Sequence, residues 1–397
     1  MLTSFLTPEQ PDPLLAVARQ ASLDTRPGKL DLTVGVYRDD TGRTPVMKAV
    51  KQAEARLLEG QATKAYLGIE GNAAFVQAIF ALLGLPGVAD GNWAGMQTPG
   101  GTGALRLAAE LLARGRSGRT VWLPQPCWIN HPHVLRAGGL GVQPFQAYDA
   151  RINRADLQAM LAAVEAARPD DVFLLQPICH NPTGADLSLA ELERLAEAIA
   201  RRRLIPLLDV AYHGFAGGIE AELPFLDVFT ARLPEVVIAY SCSKNFSIYC
   251  ERVGALLVKS HDRAAREVAN GVMMALARGS YSMPPDHGAA VVAEILGDAA
   301  LRATWREELS VMAARLNATR AVLAGLGRVA GVDLFTLRGS HGMFCRMSLP
   351  LSVIRALRED HAIYMAESGR INLAALPSAR VGAFVRALEC AATGIPA

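Results

Sequence analysis

Short apolar runs alternate with longer helical patterns through the middle of this chain, and no other sequence feature constrains its fold as strongly. Five runs have the length and continuous apolar character of strands buried on both faces, and they lie at 121–124, 172–176, 204–209, 235–240 and 253–258. Helical patterns separate them at 103–114, 153–167 and 187–203, with Asp186 or Ser188 as the N-cap of the last. The alternation predicts an α/β fold in which right-handed crossovers build one three-layer domain around a largely parallel sheet.

The alternation stops near residue 300, which indicates a second, smaller domain. Residues 301–323 carry apolar side chains at helical spacing and predict one long amphipathic helix that ends near Gly325. The first forty-odd residues contain three prolines within 8–13 and a turn-forming sequence at 39–42, so they must pack on another part of the chain. We therefore predict an N-terminal segment at 1–45 that packs with the small domain, a large domain at 46–300 and a small domain at 301–397.

Charge and apolar content exclude several functional classes. With 397 residues, 51% of them hydrophobic, the chain is long enough to bury sizeable cores. Forty basic side chains against 38 acidic ones give a net charge of +2, so we predict no nucleic-acid partner and no binding to an anionic membrane surface. The uncharged stretch 71–89 reaches membrane-spanning length, but Asn72, Gln77 and Pro86 predict a buried helix followed by a loop instead.

The cysteine pattern predicts neither a metal site nor a disulfide framework. The cysteines contain no C-x-x-C pair, and they are Cys127, Cys179, Cys242, Cys250, Cys345 and Cys390. Residues 1–8 lack the basic and apolar segments of a secretory signal. These features favour a reducing, cytoplasmic location for the protein.

Ligands of open α/β sheets bind beyond the carboxyl ends of the strands, and two glycine-containing turns occupy such positions. The sequence Thr-Pro-Gly-Gly-Thr-Gly at 98–103 precedes a helix, where an anion could approach the backbone N–H groups. Its spacing matches neither a Walker loop nor a dinucleotide fingerprint, and a plain glycine-rich turn explains it equally well. Asn181-Pro-Thr-Gly184 follows another strand and, taken alone, is more typical of an ordinary turn.

Charged side chains follow two further strands. Asp209 ends an apolar run and needs a cationic partner if it is buried, which a remote arginine or the cation of a ligand would supply. Lys244 lies in Ser241-Cys-Ser-Lys-Asn245, before Arg252. A lone lysine is usually a solvated surface residue, but apolar surroundings and a neighbouring cation would lower its pKa and make it a nucleophile. Together, the anion-binding helix start, the carboxylate, the lysine and the arginine match the phosphate, ring nitrogen and aldehyde of pyridoxal 5'-phosphate.

The order and spacing of these motifs resemble the class I aminotransferases, which are fold type I pyridoxal-phosphate enzymes. The motifs shared with that family are Asn181-Pro-Thr-Gly184, Asp209-x-x-Tyr212, Ser241-x-Ser-Lys-Asn-Phe246 with Arg252, and Gly369-Arg370-Ile-Asn372. Motifs similar to its aspartate and aromatic amino-acid branch are Gly35-Val-Tyr37, Ala65-Tyr-Leu-Gly68 and Arg278-Gly-Ser-Tyr-Ser282. The resemblance spans residues 11–372. It implies a mostly parallel seven-stranded sheet between helices, a smaller α+β domain, and a homodimer with shared active sites.

The resemblance implies a role for each cofactor residue. Lys244 would bond covalently to the cofactor aldehyde and then act as general acid and base at the substrate Cα. Asp209 would keep the ring nitrogen protonated with His131 behind it, and Asn181 and Tyr212 would hydrogen-bond the ring oxygen. The phosphate would be held by Gly101, Thr102, Ser241, Ser243 and Arg252, together with Tyr66 of the partner subunit.

The resemblance also implies the substrate contacts. Arg370 would bind the α-carboxylate bidentately, and Gly35 would close over the substrate through its backbone. Trp128 would stack on the cofactor ring beside the substrate, with core packing as its alternative role, and Asn181 would face both molecules. Arg278 of the partner subunit would pair with the second carboxylate of aspartate or 2-oxoglutarate, although aromatic aminotransferases keep this arginine and turn it aside.

The chain departs from the aspartate-specific members of the family at three positions. Ala65 and Met283 stand where an asparagine is usual, which makes the surroundings of the pocket more apolar, and Gln176 stands where a histidine is common. The resemblance and these departures predict an aminotransferase that passes the amino group of aspartate or an aromatic amino acid to 2-oxoglutarate in a ping-pong reaction. A β-decarboxylase or β-lyase with the same fold and cofactor is the alternative.

Overall fold

The computed structural model describes residues 13–394, so residues 1–12 of the predicted N-terminal segment and residues 395–397 lie outside it. The α-helices of this range are α1 (Pro13–Leu23), α2 (Lys48–Gly60), α3 (Ala73–Leu83), α4 (Gly100–Gly115), α5 (His131–Ala137), α6 (Leu157–Ala166), α7 (Leu189–Arg202), α8 (Ile219–Thr230), α9 (Arg263–Ser280), α10 (His287–Gly297), α11 (Ala299–Gly325), α12 (Leu351–His361) and α13 (Val381–Thr393). Short 3-10 helices occupy Leu334–Gly339, Leu373–Ala375 and Ser378–Arg380.

The strands of the same range belong to one large sheet and several two-stranded pairs. They are β1 (Leu30–Asp31), β2 (Trp93–Pro99), β3 (Thr120–Gln125), β4 (Gly141–Gln146), β5 (Tyr148–Asp149), β6 (Arg154–Ala155), β7 (Val172–Leu175), β8 (Ile205–Val210), β9 (Val236–Ser241), β10 (Val253–Lys259), β11 (Arg328–Val329), β12 (Val332–Asp333), β13 (Phe344–Arg346), β14 (Ile363–Tyr364) and β15 (Arg370–Asn372).

Seven strands form the central sheet, in the order β2-β10-β9-β8-β7-β3-β4. β10 runs antiparallel to both of its neighbours, and the other pairs are parallel. Helices α4, α5 and α9 pack on one face of the sheet, and α3, α6 and α10 pack against its strands from the other. The predicted α/β fold with a mostly parallel seven-stranded sheet between helices is confirmed.

Alternate side chains of the central strands enter two separate cores. In β7, Val172 and Leu174 belong to the core beneath α4, while Phe173 and Leu175 belong to the larger core on the opposite face. All four side chains are buried. Because such a strand is covered on both faces, its sequence is continuously apolar, and this makes the central strands visible in the sequence.

The five predicted strands lie within one residue of their predicted bounds, but the apolar pattern misses β2 and β4. β2 contains Gly95, where a Cβ would come within 2.7 Å of the Phe80 ring, so a close helix contact rather than strand propensity selects this residue. β4 is an edge strand in which Gln143 and Pro144 are exposed. An edge position tolerates proline and needs no apolar run, which hides the strand from pattern analysis.

The predicted helices are present, with shifted boundaries. The pattern at 103–114 continues back to Gly100. The pattern at 153–167 shortens to α6, because the Asp156 side chain accepts the N–H of Ala159 and caps the helix there. Ser188 caps α7 in a complete capping box, so it, and not Asp186, is the N-cap.

Two other predictions concern the uncharged stretch 71–89 and the cysteines. The stretch 71–89 folds as α3 followed by a loop, as predicted. None of the helices between residues 13 and 394 is long and apolar enough to cross a membrane. All six cysteines are free thiols.

The C-terminal part of the chain is entered through α11, which has 27 residues. Beyond it lie only short strand pairs and helices within the described residues, and β1 from the N-terminal segment pairs in parallel with β14. The division of the chain at residues 45 and 300 stays a prediction.

Helix α11 contacts two distant segments. The Trp305 ring stacks on Phe246 with 4.5 Å between centroids, and its Nε1 donates to the Asn245 carbonyl at 2.7 Å. Further along the helix, the Arg315 guanidinium lies 4.7 Å from the centre of the Tyr37 ring, and its Nε donates to the Tyr37 hydroxyl at 2.9 Å. One rigid helix therefore holds both the loop after β9 and the segment near residue 35.

Candidate active site

Polar residues beyond the carboxyl ends of β3, β7, β8 and β9 surround one cavity of about 240 Å³. The predicted site residues that line it are Gly35, Gly101, Thr102, Trp128, Asn181, Asp209, Tyr212, Ser241, Ser243, Lys244 and Arg252. Residues from six separate segments of the chain thus meet at the position where an open α/β sheet binds its ligand.

One end of the cavity is suited to an anion. α4 begins without a side-chain cap, so its first N–H groups and the positive end of its dipole are available. A Cβ on Gly101 would come within 2.9 Å of the Ser241 Cβ, so glycine keeps this space open. Arg252 donates to the Ser243 hydroxyl at 3.2 Å and to the Tyr249 carbonyl, and it has no carboxylate partner among residues 13–394.

Asp209 lies on the floor of the cavity and is only 5% exposed. Its Oδ2 accepts hydrogen bonds from His131 Nε2 at 2.9 Å and from Gln176 Nε2 at 2.8 Å. Burial is the largest single effect and lowers the pKa of His131, but the hydrogen bonding and attraction of Asp209, together with those of Cys127, outweigh burial and raise that pKa to about 9. The alternative of a salt bridge from Asp209 to a remote arginine is therefore wrong within the described chain, because histidine is the ionisable partner.

Lys244 projects into the same cavity from the loop after β9. Burial lowers the pKa of its amine to about 8. The Asp209 carboxylate opposes this shift, and the Arg252 guanidinium adds to it. Its Nζ lies 4.9 Å from the centre of the Tyr212 ring. An amine with this pKa is partly neutral near neutral pH, as a nucleophile and a proton acceptor must be.

A chain of polar contacts connects Tyr212 to Arg370. Asn181 Nδ2 donates to the Tyr212 hydroxyl at 3.2 Å, and its Oδ1 accepts from the Arg370 guanidinium at 3.5 Å. Arg370 is buried, lies 4.6 Å from the centre of the Phe344 ring and donates to the Thr33 carbonyl. Its planar fork is thereby held in one orientation beside the cavity, which suits bidentate binding of a carboxylate.

The backbone around Gly35 is held in place from two sides. The Tyr37 N–H donates to the Tyr249 hydroxyl at 2.9 Å. Asn372 Nδ2 donates to the carbonyls of Val34 and Val36 at 2.6 and 2.7 Å. Gly35 thus reaches the cavity on a segment fixed both by the lysine loop and by β15.

Tyr66 and Arg278 do not line the cavity of their own chain. The Tyr66 side chain is 94% exposed, and Arg278 is exposed at the end of α9 with its guanidinium on the Ser282 hydroxyl. Both residues are free to reach another molecule.

Comparison with known proteins places the chain in a family. Residues 27–388 match the family described as aminotransferase class I and II. The chain belongs to this family. A tyrosine aminotransferase of Rhizobium meliloti is 44% identical over 93% of this chain and 94% of the relative. An aspartate aminotransferase of Escherichia coli is 40% identical over 94% of this chain and 95% of the relative.

A solved aminotransferase has the same fold. The aromatic-amino-acid aminotransferase of Burkholderia pseudomallei, covalently bound to pyridoxal phosphate in its crystal structure, superposes with a TM-score of 0.94 and 35% identity. The match covers 98% of this chain and 99% of that one. The predicted family and the fold type I architecture are confirmed.

The donor set of this aminotransferase cavity fits pyridoxal phosphate. The uncapped α4 and Arg252, which has no carboxylate partner among residues 13–394, are suited to its phosphate dianion. Asp209 directs both of its hydrogen bonds within residues 13–394 through Oδ2, which leaves Oδ1 to accept from a protonated ring nitrogen. Lys244 would supply the amine for the aldehyde.

Sequence reasoning did not assign a role to three residues of the site. Gln176 donates a hydrogen bond to Asp209, and the Tyr249 hydroxyl accepts one from the backbone N–H of Tyr37, near Gly35. The Phe344 ring packs against the Arg370 guanidinium. The position of Gln176 directly after a predicted strand is a signal that could have found it. Tyr249 and Phe344 act through long-range packing, for which no local pattern exists.

Proposed function

We propose that this protein is a pyridoxal-phosphate-dependent transaminase that moves an amino group from aspartate or an aromatic amino acid to 2-oxoglutarate. The observation that carries the proposal is the buried Lys244 amine, with its pKa lowered to about 8, between an anion-binding helix end and the Asp209 carboxylate. The names of the R. meliloti and E. coli relatives, one a tyrosine and the other an aspartate aminotransferase, support both substrate classes.

In this proposal, the residues of one chain hold the cofactor from three directions. Gly101, Thr102, Ser241, Ser243 and Arg252 would bind the phosphate. Asp209 would pair with the ring nitrogen, while Asn181 and Tyr212 would donate to the ring oxygen and Trp128 would cover the ring face. When bound, pyridoxal phosphate withdraws electrons from the substrate Cα and so acidifies its proton.

Lys244 would both carry the cofactor and move the proton. Burial lowers the pKa of the Lys244 amine to about 8, so the free amine would be suited to accept the proton of the substrate Cα and to donate it again near neutral pH. Burial holds the pKa of Tyr212 well above its usual value, so its hydroxyl stays protonated and can donate a hydrogen bond.

Two arginines would select the substrate. Arg370, fixed between Phe344 and Asn181, would grip the α-carboxylate and so orient the Cα–H bond. Arg278, which is exposed with its guanidinium on the Ser282 hydroxyl, would pair with the second carboxylate of aspartate or 2-oxoglutarate. It would turn outward for an aromatic side chain, which the apolar Met283 nearby would favour.

We also propose a homodimer with shared active sites and a cytoplasmic location. Tyr66 and Arg278 are exposed and do not line the cavity of their own chain. This supports a site that is completed by a second copy of the chain. Six unpaired cysteines support a reducing compartment.

The first experiment tests Lys244. Borohydride reduction of the loaded wild-type enzyme should leave a pyridoxyl group on the Lys244 peptide, detected by mass spectrometry, and Lys244→Ala should lose both this group and activity. Lys259→Ala is the matched control, because Lys259 is a partly buried lysine with a lowered pKa outside the cavity. A reducible link at residue 244 in the alanine variant, or on another lysine of the wild type, contradicts the assignment.

A spectral half-reaction separates transamination from the lyase alternative. Wild-type enzyme mixed with aspartate should convert to the amine form of the cofactor and release one oxo acid per site. Release of carbon dioxide or pyruvate with an unchanged cofactor would identify a decarboxylase or lyase instead.

A further inference from the structure

The side-chain amide of Gln176 makes two hydrogen bonds, one as a donor and one as an acceptor. Its Nε2 donates to Asp209 Oδ2 at 2.8 Å, and its Oε1 accepts the backbone N–H of Asn181 at 3.0 Å. One neutral side chain therefore joins the carboxylate on the cavity floor to the loop that carries the Asn181 amide. Gln176 itself follows β7 and lines the cavity.

The first of these bonds constrains the Asp209 carboxylate. A buried carboxylate is stable only when donors surround it, and here both donors, His131 and Gln176, share Oδ2. Two bonds to one oxygen fix the rotation of the carboxylate and turn Oδ1 toward the cavity. Without one of these donors, the Asp209 carboxylate could rotate, and the free energy needed to keep its negative charge buried would increase.

The second bond constrains Asn181. This residue lies in a loop rather than a strand, so its side-chain position depends on its backbone contacts. Its amide reaches Tyr212 on one side and Arg370 on the other. A shift of the Asn181 backbone would move both contacts together.

We propose that Gln176 is a positioning residue that sets Asp209 for the cofactor ring nitrogen and Asn181 for the ring oxygen and the substrate arginine. This role rests on the proposed function, since both targets are cofactor and substrate contacts. Gln176 touches neither reacting atom and acts through its two neighbours. It also stands where related sequences commonly carry a histidine, so the site obtains both bonds from a side chain that does not titrate.

Two variants separate the two bonds. Gln176→Leu removes both of them at similar volume. Gln176→Glu keeps an acceptor for the Asn181 N–H, but its carboxylate cannot donate to Asp209 unless it takes up a proton. Gln176→His is the conservative variant that can restore a neutral donor and acceptor.

The decisive readout is cofactor affinity, measured on the full-length enzyme after removal and re-addition of ligand. The two probes are pyridoxal phosphate and its analogue in which carbon replaces the ring nitrogen. Gln176→Leu should weaken pyridoxal phosphate binding about tenfold, the effect of losing one hydrogen bond to a charged group. It should leave the affinity for the analogue within about twofold, because the analogue makes no bond to Asp209.

The substrate readout tests the second bond. With saturating cofactor, Gln176→Leu should raise KM for aspartate about threefold through displacement of Asn181. Gln176→Glu should leave KM unchanged and weaken pyridoxal phosphate binding at about pH 9. Binding should recover as the pH falls and a proton is shared between the two carboxylates.

The controls keep this inference distinct from the proposed function. A wild-type enzyme without the reducible link at Lys244 would defeat the proposed function before any Gln176 variant is measured. Gln143→Leu makes the same change on an exposed edge strand and should alter neither readout. Equal losses for both cofactor probes, or wild-type affinities in Gln176→Leu, would overturn the positioning role. If Gln176→Leu does not fold, the two affinities are measured on Gln176→His instead. The positioning role would then be overturned if Gln176→His did not bind pyridoxal phosphate more tightly than the analogue, as the wild type should.

Discussion

The two ends of the cavity are built differently. At the cofactor end, the uncapped α4, Arg252, Asp209 and Lys244 come from one chain and are held by buried neighbours. At the proposed substrate end, Arg370 is buried and contacts the cavity-lining Asn181, whereas Arg278, proposed to come from the partner subunit, is exposed. The difference teaches that, in the proposed site, one chain supplies nearly all cofactor contacts, with the partner's Tyr66 as the exception, whereas the choice of substrate would depend on an exposed arginine of the partner subunit.

Removing the charge at the cofactor end should have the largest effect. Asp209→Asn keeps the shape of the side chain but loses the carboxylate that favours a protonated ring, so kcat should fall about 10²–10³-fold. Cofactor affinity should fall less, because the phosphate contacts remain. Steady-state kinetics at saturating pyridoxal phosphate and a binding titration measure the two effects. A loss of affinity larger than the loss of kcat would show that the cofactor end serves binding rather than chemistry.

Removing the exposed Arg278 should lower the activity towards aspartate much more than the activity towards phenylalanine. For Arg278→Leu, we expect kcat/KM for aspartate to fall about 10²-fold, the effect of losing a charge pair in a closed site. The value for phenylalanine should change only a few-fold. The ratio of the two kcat/KM values measures the contribution of the substrate end, and equal losses for both substrates would remove its role in selection.

Mixing two inactive variants sharpens the same comparison. When Lys244→Ala and Arg278→Leu chains are unfolded and refolded together, each mixed dimer should contain one site with both wild-type residues. Random pairing should restore roughly a quarter of the wild-type sites for aspartate. No recovery of activity would place Arg278 in its own chain's site.

The smallest effect concerns stability. Because the pKa of Lys244 is lowered to about 8 in the fold, the unloaded enzyme must hold an unfavourable buried cation below that pH. Lys244→Met should therefore stabilise the unloaded protein at pH 7 by about 3 kcal/mol. The difference should shrink as the pH rises from about 8 to about 10.5, where the unfolded lysine also loses its proton. Chemical denaturation at both ends of that range tests it, and a gap independent of pH would contradict the lowered pKa.

Sequence analysis predicts the parts of this molecule that depend on local pattern. The buried central strands are continuous apolar runs, and the polar residues after them mark the cavity, so Asp209 and Lys244 could be found without coordinates. The edge strand β4 and the glycine-containing β2 could not, because one is exposed and the other is selected by contact with Phe80. The resemblance placed His131 behind Asp209, but local pattern did not show the contact from Gln176, since the two side chains reach Asp209 from the start of α5 and from the residue after β7.

The contacts of α11 make its length set the distance between two parts of the site. Trp305 and Arg315 are ten residues apart, about 15 Å along the helix axis. One touches the peptide next to Lys244, and the other touches Tyr37, two residues from Gly35. A single inserted residue between them would rotate Arg315 by about 100° and carry it away from Tyr37. The helix therefore cannot gain or lose a residue between Trp305 and Arg315 without changing how the segment around Gly35 is placed relative to the Lys244 loop.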